Sequence, residues 1–139
     1  MIKLRGTDCH GSGAFGASRG MRTHNGVDIV THTNEVVTAY EGGTVTKLGY
    51  PYNPNDDEKG GFRYVEITCG DNRHRYFYVG LLVELGDDIE RGQTIGWSQG
   101  MEHVYPGITQ HVHYEIKQPD GSFVDPVEYL KDLGYEFEV

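Results

Sequence analysis

The sequence predicts an all-β domain with one short helix at its C-terminal end, and three observations carry that prediction. Glycine makes up 20 of 139 residues, about twice the usual ~7%. Tyrosine is abundant at 10 residues and favours strands. The apolar runs are short, rich in β-branched residues and separated by turn dipeptides, which is the pattern of many strands rather than of long helices.

The elements follow in chain order. Gly6 to Arg22 is rich in Gly, Ser and Ala and reads as an ordered loop region. Val27–Thr31 and Val36–Tyr40 are strand candidates, and a turn at Glu41-Gly42-Gly43 leads into extended chain at Thr44–Leu48. Pro51 to Gly61 carries Pro, Asn and an Asp-Asp-Glu cluster, so it reads as a long surface loop. Tyr64–Cys69 and Arg73–Leu82 form a hairpin around Gly70-Asp71-Asn72. Thr94–Ser98 and Val112–Lys117 are further strands, the second turning at Pro119-Asp120-Gly121. Asp125 as N-cap, Pro126 at the first helical position, the Val127/Leu130/Lys131 periodicity and Gly134 as C-cap mark the helix. No internal repeat or linker divides residues 1–139, so a single domain is expected.

Composition narrows the function. Lys and Arg total 12 against 21 Asp and Glu, a formal charge of −9. That balance argues against a nucleic-acid binder or an anionic-membrane binder. No stretch approaches the ~18 apolar residues of a membrane helix, so no membrane insertion is expected. The first residues lack the apolar core of a secretory signal. The two cysteines, Cys9 and Cys69, are too few for a disulfide scaffold and read as free, mostly buried thiols.

Two histidine clusters stand out among seven histidines. In His111-Val112-His113 the two imidazoles share one strand face, about 6.6 Å apart along the chain, while Val112 faces a core. Two adjacent imidazoles resist double protonation, a conflict that a metal relieves. Both could ligate, or one could ligate while its neighbour lines the site. In His24-Asn25-Gly26-Val27-Asp28, a straight strand would hold His24 and Asp28 about 13 Å apart, too far for two ligands of one zinc. The turn dipeptide Asn25-Gly26 supplies the bend that would fold His24 back to Asp28. Either cluster alone is common and often only a surface feature; together they suggest a shared metal site. His10, His32, His74 and His103 read as solvated or hydrogen-bonded residues rather than ligands.

At these residues the sequence resembles the M23 family of zinc metallopeptidases, the lysostaphin/LytM type. Phe15-Gly16-Ala17-Ser18-Arg19 resembles the family's Phe-Gly-x-Arg segment. His24-Asn25-Gly26-Val27-Asp28-Ile29 matches its His-x-Gly-x-Asp-Ile element, and Gly86 to Gly96 its Gly-Asp/Gly-Gln/Ile-Gly turn. His111-Val112-His113-Tyr114-Glu115-Ile116 matches its His-x-His-Phe-Glu element, and Val124-Asp125-Pro126 its end. Within the family, His10-Gly11, Arg19, Pro51-Tyr52 and Val104-Tyr105-Pro106-Gly107-Ile108 resemble the chemotaxin-like and phage-encoded subgroup.

The resemblance implies a compact antiparallel β-sheet/barrel-sandwich with long groove-forming loops. It implies zinc held by His24, Asp28 and His113, with water in the open fourth position, and His111 as a catalytic histidine. The implied activity is hydrolysis of peptide stems or cross-bridges in bacterial peptidoglycan. One departure matters: the family's second catalytic His falls at Gly80 in Tyr76-Phe77-Tyr78-Val79-Gly80-Leu81. Chemotaxin-like members also lack it and are not enzymes. Strand alternation would put His74, Tyr76 and Tyr78 on the face of Gly80, making Tyr78 the candidate to replace the missing group with a phenol. The expectation is a monomeric zinc endopeptidase of phage or bacterial lytic type. It would be held in the host cytoplasm until release, or carried on the virion, and would act in the periplasm and cell wall. The alternative is an inactive zinc-containing binding or virion module.

Overall fold

The computed structural model describes residues 1–19 and 22–138. Gly20 and Met21, inside the stretch read as a loop, lie outside the described residues, as does Val139. The rest of that stretch is more ordered than a loop: β1 (Thr7–Asp8) pairs with β2 (Gly11–Ser12), and β3 (Ser18–Arg19) with β4 (Arg22–Thr23).

The main chain path then runs through β5 (Val27–Val30), β6 (Val36–Thr38), β7 (Gly43–Gly49), β8 (Tyr64–Cys69) and β9 (Asn72–Phe77). It continues through β10 (Val79–Leu81), β11 (Asp88–Ile89), β12 (Thr94–Ser98), β13 (His111–Lys117) and β14 (Phe123–Val124). The larger sheet has the order β11-β7-β8-β9-β13-β14, with β5 also paired to β13. A smaller sheet has the order β10-β12-β6. Every pairing between these strands is antiparallel.

Alternation along three central strands decides what each face of the large sheet carries. Val65, Ile67 and Cys69 of β8, His74 and Tyr76 of β9, and Val112, Tyr114 and Ile116 of β13 point into the core. They meet Val37, Val79 and Ile95 of the smaller sheet. His111, His113 and Glu115 therefore lie on the opposite face. Register completes that face: His113 stands across from Asp28 on one side and Phe77 on the other, and Phe77 across from Tyr64. The Tyr64 and Phe77 rings stack at 4.6 Å, and Phe77 meets His113 edge-on at 5.1 Å.

The helix α1 (Pro126–Asp132) forms as its caps dictate: the Asp125 side chain accepts from the Val127 N–H, and Gly134 turns the chain out at φ 95°. Its buried Leu130 docks it on the core.

Two expectations are corrected. Arg73–Leu82 is two strands, because Tyr78 adopts φ 70° and interrupts the ladder. Tyr76 and His74 face the core, and only Tyr78 turns to the outer face, so the three do not share one side. Cys9 is exposed rather than buried; Cys69 is buried and both thiols are free.

Candidate active site

Three segments distant in sequence converge on the outer face of β13. The bend at Asn25-Gly26 does what its dipeptide suggests, and its glycine is obligatory: a Cβ at Gly26 would lie 2.2 Å from the Tyr114 carbonyl oxygen. The bend returns His24 to Asp28, with His24 Nε2 at 3.1 Å from Asp28 Oδ1. His113, in register with Asp28, puts Nδ1 at 3.1 Å from the same oxygen and at 2.8 Å from His24 Nε2.

Outer hydrogen bonds set the tautomers. His24 Nδ1–H donates to the Ala14 carbonyl at 3.0 Å, and His113 Nε2–H to Glu115 Oε1 at 2.8 Å. Each imidazole therefore turns a lone pair inward, toward a carboxylate oxygen. Three acceptors aimed at one point require a proton or a cation among them. Their spacings sit slightly inside the ~3.4 Å edge of a tetrahedral zinc site with bonds near 2.1 Å. The donor set thus fits a divalent ion, and the carboxylate–histidine pair at Glu115 and His113 is a common metal-site support.

Arg5 shapes the third donor. Its guanidinium contacts Asp28 Oδ2 at 2.7 Å and Asp8 Oδ1 at 2.7 Å, deep inside the protein at 4% exposure. With Oδ2 occupied, Asp28 offers Oδ1 alone. Burial by itself would raise the Asp28 carboxyl, but the contacts with His113 and His24, with His111 nearby, hold it well below the usual carboxylate range, as a shared proton or cation among them would. Burial works against charge on His113, yet the Asp28 and Glu115 carboxylates outweigh it and raise the imidazole to about 9.

His111 sits beside this trio without joining it. Its Nδ1–H donates to the Thr109 carbonyl at 2.7 Å, so Nε2 carries a lone pair, 3.5 Å from Asp28 Oδ2. Burial lowers its pKa, only partly offset by Asp28. A neutral, oriented imidazole next to a cation site is suited to accept a proton. Of the two histidines of the His-x-His pair, His113 falls within the trio and His111 stands beside it.

The site floors a groove of about 470 Å³. Tyr52, from the Pro51–Gly61 loop, hydrogen-bonds Tyr78 at 3.2 Å and Tyr105, from the Gln99–Gln110 loop, at 2.8 Å. Lys59 lies over the Tyr52 and Tyr105 rings at 5.2 and 5.3 Å. The left-handed backbone at Tyr78 turns its ring edge-on to His111, with centroids 5.8 Å apart. Burial pushes its phenol up to about 12, so it remains protonated at neutral pH. Gly80 does not line the groove. It packs against Trp97 in the smaller sheet, and a Cβ there would fall 2.0 Å from the indole.

Sequence reading missed Arg5 and Glu115. Glu115 was within reach, being two residues beyond His113 on the same strand face. Arg5 had no such signal, since it reaches Asp28 through a backbone pairing that runs Arg5 N–H to the Asp28 carbonyl at 2.8 Å.

A model of peptidase family M23 matches residues 22–126, which contain the whole His24/Asp28/His111/His113 constellation. The chain belongs to peptidase family M23. Bovine leukocyte cell-derived chemotaxin-2 is 30% identical over 128 residues, covering 92% of this chain and 80% of that relative. Glycyl-glycine endopeptidase ALE-1 of Staphylococcus capitis is 27% identical over 118 residues, 81% of this chain but only 30% of that protein's length. The solved structure of the antimicrobial peptidase lysostaphin from Staphylococcus simulans superposes with a TM-score of 0.69 at 25% identity. That match covers 92% of this chain and 51% of the lysostaphin chain. This M23 chain therefore shares an antiparallel β architecture with a peptidase, and shares more sequence with a chemotaxin. No helix among the described residues is long and apolar enough to cross a membrane.

Proposed function

We propose that the chain is a zinc-dependent endopeptidase that cleaves peptide stems or cross-bridges of bacterial peptidoglycan. The observation that carries this reading is the inward convergence of three lone-pair donors with His111, a third imidazole, left free beside them. A metal held only for structure has no use for an unengaged base at its side.

His24, Asp28 and His113 would hold the ion. Bound there, zinc would supply Lewis acidity, polarising a peptide carbonyl and acidifying water. His111, neutral and fixed by Thr109, takes the proton from the attacking water and returns one to the leaving amine. Tyr78 keeps its phenolic proton and serves as a hydrogen-bond donor to developing negative charge, in place of the family histidine absent at Gly80. The Tyr52/Tyr105 wall binds the peptide by burial against its rings, because a chain of net charge −9 gains no attraction to anionic wall polymers. The enzyme acts as a monomer in the cell wall or periplasm. It is held in the host cytoplasm before release, or carried on a virion, as a phage- or bacterium-type lytic enzyme.

A second reading has its own support. Gly80 is locked against Trp97, so the missing histidine cannot be restored by a rotamer, and a sequence relative is a chemotaxin rather than a peptidase. On that reading the groove binds wall fragments without cutting them. Metal analysis of purified protein, with digestion of defined muropeptides followed by mass spectrometry, separates the two. The enzyme reading expects one equivalent of zinc that His24→Ala removes, and cleavage that His111→Ala abolishes. Stoichiometric zinc without cleavage establishes the binding module instead.

A further inference from the structure

On the core face of the same sheet, far from the groove, a second group of donors meets. Glu41 stands in the turn between β6 and β7, Cys69 ends β8, and His74 lies on β9. One ligand atom from each, a carboxylate oxygen, Sγ and a ring nitrogen, falls within 4.8 Å of the others. His74 is 0% exposed and Cys69 6%, while Glu41 is half-buried and opens the cluster to one side.

The decisive feature is an unpartnered nitrogen. Nδ1 of His74 is engaged with the Tyr114 hydroxyl at 2.5 Å. The Tyr114 and Tyr76 rings pack at 4.8 Å, and the Tyr76 oxygen accepts from the Tyr40 N–H at 3.0 Å. With Nδ1 as the donor to the Tyr114 oxygen, Nε2 carries a lone pair. This Nε2 makes no hydrogen bond although Glu41 Oε2 is only 3.3 Å away. Two acceptors face each other, with a thiol beside them. Tyr129, from the helix, already donates to Glu41 Oε2 at 2.5 Å and fixes the carboxylate in place. A buried imidazole lone pair left without a donor is destabilising, and a cation would remove that cost.

We infer that Glu41, Cys69 and His74 form a second metal site, selective for a borderline-soft divalent ion of the zinc class. One thiolate, one neutral imidazole and one carboxylate are typical zinc donors. The thiolate and carboxylate carry two negative charges that match the ion. Binding deprotonates the thiol: the Cys69 S–H bond breaks, a metal–sulfur bond forms, and the proton leaves to solvent. The site ties the β6–β7 turn to the β8–β9 hairpin and, through Tyr129, to the helix. It is independent of the proposed cleavage activity.

Cobalt(II) is the probe, because only the second site contains sulfur. In a Cys9→Ser background, which removes the one other thiol, titration should end at two cobalt equivalents per chain. A sulfur-to-cobalt charge-transfer absorption in the near ultraviolet should appear. The band should survive His24→Ala, which disables the groove site, and vanish in Cys69→Ala. Glu41→Gln leaves the buried residues untouched and should weaken this equivalent at least tenfold while the groove equivalent is unchanged. Zinc should also raise Tm in the His24→Ala chain, and not when Cys69→Ala is added. A single equivalent without the band overturns the proposal, as does a band that persists in Cys69→Ala or cobalt affinity unaltered by Glu41→Gln. Each of those results makes the His74–Glu41 approach a buried polar contact and nothing more.

Discussion

The two faces of the β8–β9–β13 sheet carry comparable chemistry under opposite conditions. On the outer face, His111, His113 and Glu115 alternate with the core residues and look into an open groove. On the inner face, His74, Tyr76, Tyr114 and Cys69 occupy the complementary positions and are sealed at 6% exposure or less. Polar groups on the outer face end in a trio supported by Ala14, Glu115 and Arg5. Those on the inner face are two separate contacts, the Tyr40 N–H to Tyr76 and His74 Nδ1 to Tyr114, which leave Nε2 of His74 unpartnered. A shift of one residue in strand register exchanges these environments. What makes one histidine a participant in chemistry and another a fixture of the core is the face it occupies, together with the partner on its second nitrogen.

The sharpest break of this comparison is His111→Ala. If the outer face does the chemistry, muropeptide cleavage falls by about 10²–10⁴ while groove zinc stays stoichiometric, because His111 lies outside the donor trio. Metal content and turnover measured on one preparation check it. Cleavage that survives removes His111 from its assigned role.

A smaller effect is expected at Tyr78. Tyr78→Phe keeps the ring against Phe62, at 5.1 Å, and against His111, and deletes only the hydroxyl. Turnover should fall about 10–100-fold, below the 10²–10³ of a dedicated oxyanion donor, because the phenol is shared with Tyr52. KM should change little. Unchanged turnover means the phenol only walls the groove.

How much of this was legible in the sequence follows from the range of the signals involved. Strand alternation placed His111 and His113 together, and the Asn25-Gly26 dipeptide supplied the bend that brings His24 to Asp28. The helix was readable from Asp125-Pro126 and Gly134 because caps are local. Tyr78 was named, but for the wrong geometric reason. Ordinary alternation would have aligned it with His74 and Tyr76, whereas a left-handed backbone at a non-glycine residue leaves no mark in sequence. Arg5 was invisible because its partner Asp28 is reached through non-local pairing. His74 read as a solvated or hydrogen-bonded histidine rather than a ligand; one ring nitrogen does meet Tyr114, but its burial beside Cys69 and Glu41 depends on three segments folding together and left no local signal.

The Gly80–Trp97 contact tests whether the smaller sheet limits the outer face. Gly80→Ala places a methyl where the indole ring lies, an overpacking that costs about 1–3 kcal/mol. Thermal unfolding should show a Tm lower by several degrees, with the groove donors intact by zinc content. Gly80→His should not raise turnover, since the imidazole meets the same indole. A gain in turnover from Gly80→His alone would show that Trp97 yields and that the missing histidine is what limits activity.

The smallest effect should come from Asp8, which braces the outer face from behind. Its carboxylate accepts from Arg5 at 2.7 Å and from the Thr109 N–H at 2.9 Å, and so joins the residue that supports Asp28 to the one that fixes His111. Hydrogen bonding from Arg5 outweighs burial and, with the Thr109 and His10 N–H groups, holds the Asp8 carboxyl well below its ordinary range. A folded value below the unfolded value near 3.9 means that Asp8 contributes stability above about pH 4. That contribution is lost as pH falls from there toward the folded value. Asp8→Asn should therefore lower Tm by about 5 °C at neutral pH and flatten the acid limb of the stability curve. It should slow cleavage only a few-fold, because Thr109 still accepts from His111. Parallel acid limbs for the two proteins would mean that the brace carries no pH-dependent stability, and that Arg5 alone holds the outer face in register.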